Sequence, residues 1–338
     1  MHYLLISLGL ALLLSACGDS SQPEPVQETT AASTESVENR GSDASGGNWW
    51  DGMPRPEWGE YERLETGQDW FEVYRIEPGI LAIYEPGQFE EVISWLILGE
   101  DRALLFDTGL GIGDIRSLVA SLTDLPLMPL NSHSHYDHSG GNYQFEAVMG
   151  VDTPYTRNRA RGTPNESVAE FASEGWIWKD HPPGFDPATY SIQPWQHGTW
   201  VEDRQFIDLG NVSLEVVFAP GHAPDCIVLI DHQRRLMFTG DVFYPAPLYT
   251  HIPGSSFQDY LSSSRRLADL EEQVDYLMPS HNVPRVSSEY LTRMRNAFES
   301  IKAGSAEFEL SDGAREYRFE GFGVLTHNPP DIAEGNSQ

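Results

Sequence analysis

Four residues able to bind metal or move a proton fall within six positions: His133, His135, Asp137 and His138. They belong to the stretch Asn-Ser-His-Ser-His-Tyr-Asp-His-Ser-Gly-Gly-Asn, residues 131–142. Imidazole and carboxylate are the usual donors to zinc and its neighbours among the divalent ions. So short a loop cannot bring all four donors to one tetrahedral ion without strain. The pattern therefore reads as two metals, His133 and His135 on one, Asp137 and His138 on the other. The competing reading is a His-rich surface loop with no function. Against it, the apolar run 125–130 leads directly into the loop, and such a run reads as a buried strand ending where a site can open.

Further donors follow in short motifs. Phe-Ala-Pro-Gly-His ends at His222, Phe-Thr-Gly-Asp at Asp241 and Met-Pro-Ser-His at His281, while Leu-Leu-Phe-Asp-Thr-Gly carries Asp107. With residues 131–142 these five motifs, in this order over 103–281, resemble the signature of the metallo-β-lactamase-fold hydrolases. The resemblance implies an α+β chain folded as an αββα sandwich. It implies two divalent metal ions, zinc by donor type: the first held by His133, His135 and His222, the second by Asp137, His138 and His281, with Asp241 bridging. The nucleophile it implies is a hydroxide shared by the two ions, whose proton Asp137 takes. Asp107 is then expected to orient a ligand histidine by accepting its far ring proton; the alternative is a turn residue at a strand end. Tyr244, three residues past Asp241, matches a tyrosine that in lactonases of the superfamily hydrogen-bonds the substrate carbonyl; the alternative is a packed aromatic. Gly140 and Gly141 read as letting the backbone turn tightly beneath the ligands, Tyr136 as packing, and His251 as lying outside the ligand set.

The resemblance implies a metal-dependent hydrolase of a small molecule, and Asp241 with Tyr244 favours a lactone or ester. The runner-up readings are β-lactam hydrolysis and phosphodiester or sulfate-ester cleavage. Glyoxalase-type thioester hydrolysis has the ligands, but the basic glutathione-binding residues of that family are not recognisable. A full ligand set argues against a non-catalytic zinc lipoprotein.

The formal net charge of the 338 residues is -30, and the only lysines are Lys179 and Lys302. Nucleic-acid binding needs a basic surface, so no nucleic-acid partner is expected. Of the 2 cysteines, Cys226 reads as a small buried residue rather than a ligand. Cys17 follows Leu-Ser-Ala at the end of a short apolar stretch, which resembles a bacterial lipobox. Residues 1–16 then read as a lipoprotein signal peptide and Cys17 as the lipidated residue, anchored in the outer membrane and facing the periplasm. An ordinary cleaved leader is the alternative. Residues 17–48, rich in Ser, Thr, Glu, Pro and Gly, read as a flexible tether.

The hydrolase domain is expected over 49–328. Apolar runs at 71–76, 80–84, 92–98 and 103–106 read as strands, 113–122 as a helix and 125–130 as the strand that delivers the ligand loop, a βαβ unit. Residues 206–209, 212–219, 227–230 and 236–239 read as a second sheet. Helices are expected at 256–270 and 287–302, flanking a short run at 276–278, and a hairpin at 307–319 around Asp312-Gly313. The insertion 143–202 is rich in aromatics and reads either as a lid over the metals or as a satellite core.

Overall fold

A computed structural model describes residues 49–332. The leader, Cys17 and the tether lie outside the described residues.

Eight strands form the first sheet in chain order: β1 Glu62–Leu64, β2 Glu72–Glu77, β3 Ile80–Tyr84, β4 Ile93–Leu98, β5 Ala103–Phe106, β6 Leu127–Leu130, β7 Val148–Val151 and β8 His197–Val201. β1 to β5 pair antiparallel, whereas β5 to β8 pair parallel. Helix α1, Ile115–Leu122, makes the crossover from β5 to β6. Its first turn is capped by the Asp114 carboxylate, which accepts from the Ser117 amide at 3.0 Å. Between β6 and β8 lie α2 Tyr136–Ser139, α3 Pro154–Arg159 and α4 Asn165–Val168.

The second sheet contains β9 Phe206–Asp208, β10 Ser213–Phe218, β11 Ile227–Asp231, β12 Leu236–Gly240, β14 Tyr276–Pro279 and β15 Val286–Ser287, in the order β15-β14-β12-β11-β10-β9. A third sheet, not anticipated, joins β13 Pro247–Tyr249 to β18 Phe322–Thr326, β17 Ala314–Phe319 and β16 Glu309–Ser311. The expected hairpin is its β16–β17 part. Strand β13 is three residues long, starts with proline and finds its parallel partner far along the chain, so nothing local marks it.

Successive strand residues point to opposite faces, and here both faces are covered. In β3, Ile80, Ala82 and Tyr84 face the second sheet while Leu81 and Ile83 face outward, and all five are buried. The space between the sheets is filled by Trp95, Phe106 and Leu130 against Val216, Leu229 and Phe238. Trp95 and Phe238 meet edge to face at 5.4 Å. Outside the first sheet lie Leu118 and Val119 of α1, and outside the second lie Leu261 and Leu267 of α5 (Phe257–Ala268) with Met294 and Phe298 of α6 (Tyr290–Lys302). The architecture is a sandwich with helices on both outer faces. Double burial explains why β3, β5, β11 and β12 are almost unbroken apolar runs.

The insertion 143–202 contributes both strands and core aromatics. It adds β7 and β8 to the first sheet, and Phe171, Trp176, Tyr190 and Trp195 join the core outside that sheet. It also reaches the ligand loop: Phe171 stacks on Tyr136 at 4.1 Å, and Tyr155 stands edge-on to His135 at 6.1 Å.

Candidate binuclear metal centre

The chain delivers its donors from strand ends. His133 and His135 leave β6, and Asp137 and His138 sit in the single turn of α2. His222 follows β10, Asp241 follows β12 and His281 follows β14. All seven are buried, and they fall into two groups whose donor atoms lie within 4.8 Å of one another: His133, His135 and His222, then Asp137, His138, Asp241 and His281.

In the first group, His135 Nδ1 is 3.0 Å from His133 Nε2 and 2.9 Å from His222 Nε2. In the second, His138 Nε2 is 3.2 Å from His281 Nε2, 3.2 Å from Asp137 Oδ2 and 3.1 Å from Asp241 Oδ1. The Asp241 carboxylate faces both groups. Its Oδ2 lies 3.3 Å from His222 Nε2, and its Oδ1 lies 2.9 Å from His281 Nε2.

Hydrogen bonds on the far side of the rings set the tautomers. His138 Nδ1 lies 2.9 Å from Asp107 Oδ2, and His281 Nδ1 lies 2.6 Å from the Glu90 carbonyl oxygen. Both partners are acceptors, so both Nδ1 atoms carry the proton and, in the neutral rings, both Nε2 atoms are bare lone pairs. Two imidazole lone pairs and the oxygens of Asp137 and Asp241 thus converge with no donor among them. Such a nest of acceptors is stable only around positive charge. Burial alone lowers the pKa of His281, but the Asp241 carboxylate outweighs it and holds the ring up at about 9; His138 is raised further by Asp137 and Asp241. A divalent cation supplies that charge in place of protons. His133 and His135 are pushed well below the usual histidine range, by burial first and neighbouring imidazoles second, which keeps them neutral as ligation requires. The donor set therefore fits two divalent ions, three imidazoles on one side, two imidazoles and a carboxylate on the other, with Asp241 between.

Asp107 does not join the donors. It ends β5 at φ 72°, accepts from the Ser132 amide at 2.6 Å through Oδ1, and holds His138 through Oδ2. Tyr244 packs beside His281 at 5.0 Å between ring centroids. Its hydroxyl proton goes to the Pro247 carbonyl at 2.9 Å, so donation to a substrate oxygen requires that bond to break. Gly140 and Gly141 have ordinary helical φ values of -59° and -87°. What they supply is room rather than a tight turn: a Cβ on Gly140 would stand 2.3 Å from the Leu110 carbonyl and one on Gly141 2.4 Å from that of Thr108. Cys226 is buried, its sulfur accepting from the Ala223 amide at 3.3 Å, and belongs to neither donor group.

Sequence spacing did not single out Glu90, Glu91 or Asp225. The first is a support through its main chain, and a carbonyl has no sequence signal. Asp225 is buried and its Oδ2 accepts from Ser134 Oγ at 2.5 Å and Thr156 Oγ1 at 2.9 Å, tying the ligand loop to the His222 loop and to α3. Ser134 occupies the gap between two ligand histidines, where only the fold reveals a partner.

The model of the metallo-beta-lactamase superfamily matches residues 89–281, more than half of the chain. Human acyl-coenzyme A thioesterase MBLAC2 is 29% identical over 262 residues, covering 71% of this chain and 90% of that protein. Hydroxyacylglutathione hydrolase GloC of Haemophilus influenzae is 25% identical over 191 residues, 55% of this chain and 83% of that one. Among solved structures, a double mutant of the sec-alkyl sulfatase PisA1 superposes with TM-score 0.53 at 15% identity, covering 68% of this chain and 42% of that one. A metallo-beta-lactamase family protein of Thermus thermophilus does so with TM-score 0.50 at 20% identity, over 68% and 82%. Those two likenesses bear on the fold alone.

Proposed function

Because this chain belongs to the metallo-beta-lactamase superfamily, we propose that it is a binuclear metal-dependent hydrolase, with zinc as the metal, acting on thioesters. The observation that carries the substrate class is the extended similarity to MBLAC2, named as an acyl-coenzyme A thioesterase, joined by hydroxyacylglutathione hydrolases. This departs from the lactone or ester preferred on sequence.

Cations held by the two donor groups would supply Lewis acidity, for the acyl oxygen and for the ionisation of a water near neutral pH. The residues do the rest. Asp241, offering one oxygen to each donor group, ties the two groups together. Asp137 is held below the usual carboxylate range despite its burial, because His138 and His281 stand beside it. It stays ionised and takes the proton of the attacking water. Asp107 and the Glu90 carbonyl keep the His138 and His281 rings aimed. The leaving thiol needs little help, since a thiol ionises near pH 8.5, far below an alcohol.

The net charge of -30 disfavours a carrier bearing several phosphates and favours a thiol of low negative charge. A panel of acyl thioesters on coenzyme A, glutathione and N-acetylcysteamine, with lactones, aryl esters, cephalosporins and phosphodiesters alongside, tests this on zinc-loaded protein by thiol release and absorbance. Thioesters should show the highest kcat/KM, the N-acetylcysteamine ester at low salt matching or exceeding the coenzyme A ester. A wide preference for any oxygen ester, lactone or β-lactam overturns the thioester assignment. The oxygen-ester or lactone reading is favoured by one observation, the Tyr244 ring beside His281. For location, the lipobox-like stretch ahead of Cys17 supports a lipid-anchored envelope protein; Cys17→Ala should leave the membrane fraction, and its retention there as mature protein removes the anchor.

A further inference from the structure

Residues 49–61 precede the segment that the family model matches, yet they bind the loops that hold His281. Trp58 is fully buried, stacked on Tyr84 at 4.3 Å, and its Nε1–H donates to the Asn282 carbonyl at 3.0 Å. Arg55 grips the Glu91 carboxylate as a fork: Nε is 2.8 Å from Oε2 and Nη2 is 2.5 Å from Oε1. The same Nη2 donates to Asn282 Oδ1 at 3.3 Å. Glu91 is 1% exposed and takes a second donor, the Tyr84 hydroxyl, at 2.6 Å.

The two residues held in this way flank the support of His281. Glu91 follows Glu90, whose carbonyl accepts from His281 Nδ1, and Asn282 follows His281 itself. Both adopt positive φ, 50° for Glu91 and 69° for Asn282. A glutamate holds that conformation only where the surroundings over-determine it, whereas asparagine adopts it more readily. The Asn282 amide donates to the Glu91 carbonyl at 3.3 Å, and Val92 pairs with His281. The aim of His281 Nε2 thus depends on two positive-φ backbone positions, of which Glu91 is the strained one, and the contacts that Arg55 and Trp58 make fall on those positions.

We propose that Arg55 and Trp58 are positioning residues for the second metal: the segment ahead of the superfamily core sets the affinity of the Asp137, His138, Asp241 and His281 site and leaves the three-histidine site alone. The proposal rests on His281 being a ligand.

The test is competition titration of zinc against a chromogenic chelator on the full chain. Arg55→Ala should weaken the second equivalent by about ten- to a hundredfold, as loss of an outer partner typically does, and leave the first unchanged. Arg55→Lys should recover part, because an ammonium supplies charge without the planar fork. Arg55→Ala leaves Glu91 as a buried, unpaired charge; the double variant Arg55→Ala/Glu91→Gln removes that charge, so a weak second site in it is not a folding defect. Hydrogen exchange on metal-free protein gives an independent readout: amides at 280–283 should exchange faster in the variants, those at 131–142 should not. Wild-type affinity for both equivalents in Arg55→Ala and in the double variant, or equal weakening of both sites, overturns the proposal. So does unchanged exchange at 280–283.

Discussion

Asp107 Oδ2 stands 2.9 Å from His138 Nδ1, while Oδ1 of the same carboxylate accepts the Ser132 amide at 2.6 Å. One side chain that touches no other donor of the centre thus sets the tautomer of His138 and the path of the backbone into the same ligand loop at Ser132. Asn at position 107 tolerates positive φ but offers one acceptor instead of two. Asp107→Asn should fold, and the second metal should bind about ten- to a hundredfold more weakly. Zinc titration with a thermal melt checks both; an unchanged second site would show that Asp107 does not orient His138.

Metal removal should act on stability as well as on rate. Four converging acceptors without a cation between them destabilise the folded state, and a ligand at a hundred times its Kd adds about 2.7 kcal/mol. Freshly purified protein should carry close to two equivalents by elemental analysis. Chelation should abolish hydrolysis and lower the Tm, and His222→Ala and His281→Ala should each lose a different equivalent. A Tm indifferent to chelator argues against both sites.

Glu85 gives a pH dependence with a definite sign. Its carboxyl is 2% exposed and accepts from Trp70 Nε1 at 2.5 Å and the Leu110 amide at 3.0 Å. Burial outweighs those bonds and raises its pKa from 4.5 to about 7. The folded state therefore binds more protons than the unfolded chain between those values. Its contribution to stability is full below pH 4.5, falls as pH rises towards 7, and is level above. The loss is roughly 3 kcal/mol at 1.36 kcal/mol per unit. Denaturant midpoints measured in chelator at pH 5 and pH 8 should differ more for the wild type than for Glu85→Gln; equal differences would remove Glu85 as the source.

For Tyr244, the bond to Pro247 predicts a modest effect. Tyr244→Phe should cost about 1 kcal/mol of stability and change kcat by less than about threefold, under about 0.7 kcal/mol of barrier. A drop of roughly a hundredfold or more in kcat at constant KM would mean that the hydroxyl leaves Pro247 and donates to the acyl oxygen.

The five motifs, in their order, carried the resemblance that implied the sandwich and the list of donors, and the apolar runs marked the strands that lead into them. Those features are local: a buried strand needs a continuous apolar run, and a ligand loop needs its histidines in one short stretch. The third sheet escaped because β13 and β18 pair across a long separation in sequence. The tertiary structure brought the donors of each expected group together and placed one Asp241 oxygen against each group. Only it committed the Tyr244 proton to Pro247 and turned Glu90, Glu91, Arg55 and Trp58 into supports for His281. Those contacts run through main-chain carbonyls, positive-φ residues and charges from distant segments, and none of these imposes a period or a spacing on the chain. Residue types determined which atoms can bind a cation; the packing of distant loops decided where those atoms point.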